Sequence, residues 1–177
     1  MSAEIQDTVT DDALKRELME FSLDGAPGHL IRRCQQRAVD LFVEEVGENG
    51  PTPPQFGVLL CVFQNPGMSQ TALVQASGID RSTLTEILRR MIDRGLVSRT
   101  RTKRDQRANA LRLTPDGEAA LVSAFEAAKR SQERMLAPLA PSDRAAAVRI
   151  LGALAGYGDD DDSDGGQRDG KTTDDPA

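Results

Sequence analysis

The most constraining feature of the chain is a pair of short helix-forming stretches separated by one tight turn, between residues 69 and 95. Ser69 is placed to cap a helix over QTALVQAS and Gly78 to end it. A side-chain oxygen satisfies the free N–H groups at a helix start, and glycine accepts the left-handed conformation at its finish. Asp80 or Ser82 can cap a second helix that runs to Arg94, with Gly95 as its terminator. In that helix Leu84, Ile87, Leu88, Met91 and Ile92 recur as one apolar stripe, while Ser82, Thr85, Glu86 and Arg89 fall on the opposite face. One side is suited to packing and the other is left polar for a partner. Two such helices joined at Ser77-Gly78-Ile79 make a helix-turn-helix pattern.

The character of the chain changes after Gly95. LVSRTRT and ANALRLT alternate apolar with polar residues, and KRDQR between them has nothing to bury, so the segment reads as a β-hairpin wing. Upstream, a short helix can form across DDALKRELMEF. Pro27 then suits the first turn of a helix in which Leu30, Ile31, Cys34, Ala38, Leu41 and Phe42 recur, closed by Gly47. PQFGVLLCVFQ is apolar on nearly every side and reads as a short helix buried on most of them. Downstream, Pro115 opens a long Ala-rich helix, Pro138 and Pro141 mark a bend, and SDRAAAVRILGALAGY supplies a last helix. The predicted fold is mainly α with a small β-hairpin, a winged helix-turn-helix flanked by helices. It divides into an acidic extension (1–24), a central domain (25–157) and an acidic tail (158–177) whose composition predicts disorder. Within the domain, 53–114 form the winged part, and 27–47 and 115–156 form the flanking helices.

A net charge of −6 argues at first against a nucleic-acid partner, but its distribution reverses that inference. The tail from Gly158 holds eight Asp against Arg168 and Lys171, so residues 1–157 are neutral overall. Residues 80–112 carry ten Lys and Arg against Asp80, Glu86, Asp93 and Asp105. That positive segment coincides with the helix-turn-helix and the hairpin, which a merely solvated basic surface has no reason to do. A recognition helix brings its first residues to base edges in the major groove, and here those are Arg81, Ser82, Thr83 and Thr85. Arginine pairs with guanine through two hydrogen bonds, and Ser and Thr serve several bases or phosphates. Ser69 and Gln70 at a helix start suit phosphate. Arg89, Arg90 and Arg94 add charge. The wing offers Arg101, Lys103, Arg104 and Arg107, side chains that a narrow minor groove attracts. Asp105 is expected to steady Arg107 or the turn by a charge-assisted hydrogen bond.

The stretches TPPQFGVLLCV, DRSTLTEILRRMIDRGLVSR, DQRANALRLT and TPDGEAAL resemble the MarR family of bacterial regulators, over about residues 27–154. The resemblance implies a homodimer formed by the first and last helices, so that 27–47 and 115–156 are dimerisation helices. Double-stranded DNA is its implied partner. Two recognition helices would then address a near-palindromic site, with repression as the usual mode. The family's Asp-x-Arg wing turn is matched by Asp105 and Arg107, which makes Arg107 the minor-groove residue. The family also commonly places a small-molecule pocket between the dimerisation helices and the winged domain. His29, Arg32, Arg33 and Gln36 follow spacings of three and four on the first helix, and arginine suits a carboxylate or phosphate. This stretch is similar to regulators of aromatic-acid breakdown, so the expected effector is an aromatic carboxylate or its coenzyme A thioester. Ion pairs across the dimer are the alternative role for these residues.

Other functions find less support. Cys34 follows two arginines, which favour a thiolate and hence redox sensing, yet it lies on an apolar stripe where cysteine often acts as a small hydrophobe. Cys61, inside VLLCVF, reads as core. With a lone His29 and no paired cysteine motif, no metal or cofactor site is expected. Asp160, Asp162, Asp164 and Gly165 match the opening of a calcium loop, but Lys171 stands where a glutamate is needed. No nucleophile elbow or Gly-rich phosphate loop points to an enzyme. A winged module that binds protein instead of DNA is disfavoured by the basic recognition helix and wing. The acidic N-terminus lacks the features of a signal peptide and no apolar run is long enough to span a bilayer, so a cytoplasmic location without membrane contact is expected.

Overall fold

Helix ends in this chain are written by caps, and the caps set the turns between elements. The computed structural model describes residues 12–101 and 109–157. Two compact units divide the chain between Met135 and Leu136. The first holds α1 (Asp12–Glu20), α2 (Pro27–Val46), α3 (Pro53–Gln64), α4 (Gln70–Ser77), α5 (Arg81–Asp93), the strands β1 (Val97–Arg101) and β2 (Asn109–Leu113), and nearly all of α6 (Pro115–Leu136). At the start of α3 the Thr52 amide donates to Gln55 Oε1 at 3.1 Å, with Pro53 in the first turn. Ser69 Oγ accepts from the Ala72 amide at 3.1 Å, and Gly78 ends α4 in the left-handed region at φ +66°. Asp80 rather than Ser82 caps α5, accepting from the Thr83 amide at 2.9 Å, while the Ser82 hydroxyl donates to the same carboxylate at 2.5 Å. Those bonds, from Ser82 first and then Thr83, hold the Asp80 carboxyl far below the usual carboxylate range. The last helical residue of α5 is Asp93, with Arg94 as its C-cap.

The apolar stripe of α5 drives the packing. Leu84, Leu88 and Met91 are fully buried against Val58, Leu59 and Val62 of α3, Leu73 of α4, Val97 of β1, Leu111 of β2 and Leu121 of α6. Ile87 and Ile92 are partly buried at its margins. The expectation that α3 is buried on most sides needs one correction. Phe63 is 51% exposed, because with Leu60 it borders an open apolar groove alongside Leu121, Val122 and Phe125 of α6. β1 and β2 pair antiparallel, Val97 opposite Leu113 and Arg101 opposite Asn109. The chain before α4 adds a third edge to this hairpin: the Gly67 amide donates to Leu111 O at 2.8 Å and the Leu111 amide to Met68 O at 2.9 Å. Gly67 takes φ +91° there, a conformation that favours glycine.

Two further joints fix the flanking helices of this unit. Thr114 leads into α6, its hydroxyl donating to Gly95 O at 2.5 Å and accepting from the Gly117 amide at 3.1 Å. Gly117 is buried so close to β1's approach that a Cβ would sit 2.0 Å from Leu96 O. At the other end of α6, Arg130 and Arg134 both reach Glu45 of α2 at 2.9 Å, and Arg134 also reaches Glu44 at 2.8 Å. Those guanidiniums, Arg130 first, pull the Glu45 carboxyl below its ordinary 4.5.

Large apolar side chains remain exposed outside this core. They include Leu14, Leu18 and Met19 on α1, Phe21 and Leu23 after it, and Leu30, Ile31, Val39 and Val43 on α2. The second unit contains α7 (Pro141–Leu154), which buries no residue and exposes Val148, Ile150, Leu151 and Leu154. Among the described residues no helix is long and apolar enough to cross a membrane.

Gly117→Ala is expected to lower stability by roughly 1–3 kcal/mol, the usual cost of overpacking, because the obstacle is backbone. Urea unfolding measures it, and an unchanged midpoint would contradict the close approach. Glu45 supplies a pH prediction as well. A carboxyl lowered in the folded state stabilises above its ordinary value, and that contribution is lost as pH falls through the folded value. Glu45→Gln should therefore flatten the acid side of the stability profile below about pH 4.5 and leave its shape near neutrality unchanged.

Candidate nucleic-acid interface

With its stripe buried, α5 turns Arg81, Ser82, Thr83, Thr85, Arg89 and Arg90 outward, all of them exposed. The start of α4 and the strand β1 border this face. A chain of hydrogen bonds joins all three elements. Arg99 Nη2 of β1 donates to Gln70 Oε1 at 3.1 Å, Gln70 Nε2 donates to Thr85 Oγ1 at 2.7 Å, and the Thr85 hydroxyl donates to Arg81 O at 2.7 Å. Beside it, Arg81 Nη2 reaches Thr71 Oγ1 at 3.5 Å. The amide of Gln70 thus uses both its ends, fixing a guanidinium on one side and a hydroxyl on the other. A preorganised donor set of this kind loses less side-chain freedom when it meets a ligand.

The sequence-derived residues fall into groups. Gln70, Arg81 and Thr85 come together between α4 and α5, with Ser69 at the α4 start, while Ser82 and Thr83 line a groove with Thr52, Pro54 and Gln55 at the start of α3. The Ser69 oxygen serves as the α4 cap, and the Ser82 hydroxyl donates to the α5 cap. Arg89 and Arg90 lie further along α5 and are engaged by its own acids. Glu86 Oε1 is 2.7 Å from Arg89 Nη2 and 2.9 Å from Arg90 Nε, and Arg89 Nη1 is 3.0 Å from Asp93 Oδ2. The two guanidiniums, Arg89 first, bring the Glu86 carboxyl down to about 2. Arg101 closes β1 opposite Asn109. Lys103, Arg104, Asp105 and Arg107 lie outside the described residues, as does the calcium-like stretch of the tail.

Arg99 and Thr71 belong to this surface and were not singled out by sequence reasoning. Alternation groups Arg99 with the buried Val97, opposite the buried Leu111, so strand pattern alone does not mark it as a surface residue. Thr71 has no sequence signal. Arg112, exposed on β2, has its guanidinium beside Gly67.

The residues expected to meet an effector sit in the first half of α2. Arg32, Arg33 and Gln36 line a groove along that helix together with Arg37 and Asp40, and His29 is half-buried outside that lining. Gln36 Nε2 donates to Asp40 Oδ1 at 3.0 Å. Cys34 is exposed, whereas burial pushes the half-buried Cys61 thiol up.

Comparison with known proteins agrees with this arrangement. The MarR family model matches residues 52–108, from the cap of α3 to the edge of β2. The transcriptional regulator HosA of Escherichia coli is 32% identical, over 70% of this chain and 90% of its own length. Bordetella bronchiseptica BpsR, whose DNA binding is regulated by 6-hydroxynicotinic acid, superposes with a TM-score of 0.72. It is 28% identical, and the match covers 76% of this chain and 96% of that one. The transcriptional repressor CouR bound to p-coumaroyl-CoA gives 0.68 at 33% identity, covering 75% and 94%. CouR is also known bound to a 23-mer DNA duplex. These relatives regulate transcription and are not enzymes. The chain belongs to the MarR family and is a DNA-binding winged helix-turn-helix regulator of transcription, similar to those that answer to aromatic acids.

Proposed function

We propose that the chain is a ligand-responsive repressor that binds a near-palindromic operator as a homodimer and leaves it when an aromatic carboxylate or its coenzyme A thioester binds. The observation that carries the DNA-facing part is the hydrogen-bonded chain Arg99–Gln70–Thr85–Arg81. It holds the Arg99 guanidinium at one end and ends on the Arg81 backbone carbonyl at the other, with the Arg81 guanidinium beside it at Thr71. Arg81 and Thr85 lie in the first turns of α5, where a recognition helix meets base edges, and Arg99 stands where phosphate passes. The wing residues Arg101, Lys103, Arg104 and Arg107, with Asp105 steadying the turn, extend the same contact toward the minor groove.

Dimer formation is supported by the apolar side chains left exposed on α2 and on α7, more than a lone soluble unit has reason to display. In this reading 27–47 and 115–156 dimerise, 53–114 contact DNA, and 1–24 and 158–177 are acidic extensions of a cytoplasmic protein. The effector class is supported by what BpsR and CouR are known to respond to or hold, and by Arg32, Arg33 and Gln36 along the α2 groove, with His29 beside them. A free acid and a thioester both present oxyanions that guanidinium groups suit. Release requires the ligand to bind the freed conformation better than the DNA-bound one.

The test is binding to the DNA upstream of the protein's own gene, at several salt concentrations and then with aromatic acids and their coenzyme A thioesters. Salt-sensitive binding reversed by one of these compounds is expected, and reversal should be lost in Arg32→Ala with Arg33→Ala. Binding that none of them reverses would overturn the effector assignment. Gln70→Ala gives a finer test. Operator affinity should fall about tenfold, near 1.4 kcal/mol, as Thr85 and Arg99 lose their common partner. Thermal stability should stay close to wild type, since Gln70 contributes nothing to the core. Unchanged affinity would remove Gln70 from the interface.

A further inference from the structure

The DNA-facing helix carries its own neutralising charge, and its placement has a consequence for specificity. Between Arg81 and Asp93, α5 has three arginines, and two of them are tied down. One carboxylate, Glu86, accepts from Arg89 at 2.7 and 3.0 Å and from Arg90 at 2.9 Å, and Asp93 takes the remaining arm of Arg89 at 3.0 Å. Arg81 has no carboxylate partner in the described structure; its contact is the Thr71 hydroxyl. A guanidinium held by a carboxylate must give up charge-assisted bonds before it neutralises a phosphate, so it adds less to sequence-independent binding than a free one.

We propose that Glu86 is a specificity-determining residue, a latch that withholds Arg89 and Arg90 from phosphate and leaves the part of the contact made by α5 to Arg81 and Thr85. This inference rests on the reading that the outer face of α5 meets DNA. The latch lowers the net positive charge of the helix and so limits its hold on any sequence. Sequence-independent affinity is the competitor a regulator must suppress, because a genome offers vastly more random sites than operators.

The test compares wild type and Glu86→Gln on a random-sequence duplex and on the operator. Glutamine keeps the shape and helix propensity of glutamate, and circular dichroism confirms folding. Random-sequence affinity should rise roughly fivefold or more. The slope of log K against log salt should steepen by about one to two, near 0.9 for each arginine set free. The ratio of operator to random affinity should fall. The same substitution in an Arg89→Gln, Arg90→Gln background should lose this gain, because no latched arginine remains. A gain that persists there would mean that Glu86 acts by repelling phosphate itself, which overturns the latch. An unchanged slope in Glu86→Gln overturns it too. Arg81→Ala separates this failure from failure of the DNA-facing reading: weakened binding keeps α5 at the DNA, and unchanged binding removes both.

Discussion

Burial of Leu84, Leu88 and Met91 is the constraint from which the remaining geometry follows. These side chains sit on one stripe of α5 and are enclosed by α3, α4 and the hairpin, so the helix has only one rotation about its axis that keeps them dry. A rotation of one residue step would expose a leucine and bury an arginine, and an unpaired buried charge is far costlier than the packing it replaces. Core packing on the inside therefore determines which residues reach the outside. The polar face of α5 is specified by leucines that never touch a partner.

Caps and joints convert this rotation into a defined surface. Asp80 and Ser69 start the two helices at fixed residues, and Gly78 allows the sharp turn between them. The bridge from Gly67 and Met68 to Leu111 ties the entry to α4 to the wing strand. Leu111 is also the strand partner of Arg99, and Gln70 and Arg99, 29 residues apart in sequence, share a hydrogen bond beside that bridge. Gly117 then brings α6 against Leu96, and the Glu44 and Glu45 pairs hold its far end to α2. α6 thus joins α2 through ion pairs at one end and Leu96 of the winged part through a close backbone contact at the other.

Much of this was legible in the sequence because strong local signals agreed. The α5 stripe, a cap at Ser69 and another at Asp80 or Ser82, the stop at Gly78 and the alternation around KRDQR agree on a helix-turn-helix with a hairpin. Of the α4–α5 residues expected to meet DNA, Gln70, Arg81 and Thr85 adjoin one another, whereas Ser82 and Thr83 border the start of α3. What stayed hidden was non-local or rotameric. The Gly67–Met68 bridge uses backbone groups with no side-chain pattern, and the Gln70 amide joins two partners through a rotamer that spacing does not reveal. Glu86 with Arg89 and Arg90 does follow the spacing of helical ion pairs, but the positive charge of the whole segment points more strongly to DNA than to this internal pairing. Phe63 misled in the opposite direction, since a uniformly apolar run such as PQFGVLLCVF does not say which side lacks a neighbour.

One face, built from the α4 start, the first turns of α5 and β1, is proposed to meet DNA. Amide hydrogen exchange of the protein alone and with duplex DNA from upstream of its own gene tests this most directly. New protection should concentrate at residues 69–72, 81–86 and 97–101, while α3, already enclosed in the core, should exchange as before. Protection confined to α1, α2 or α7, with the α4–α5 face unchanged in a complex that has demonstrably formed, would contradict it.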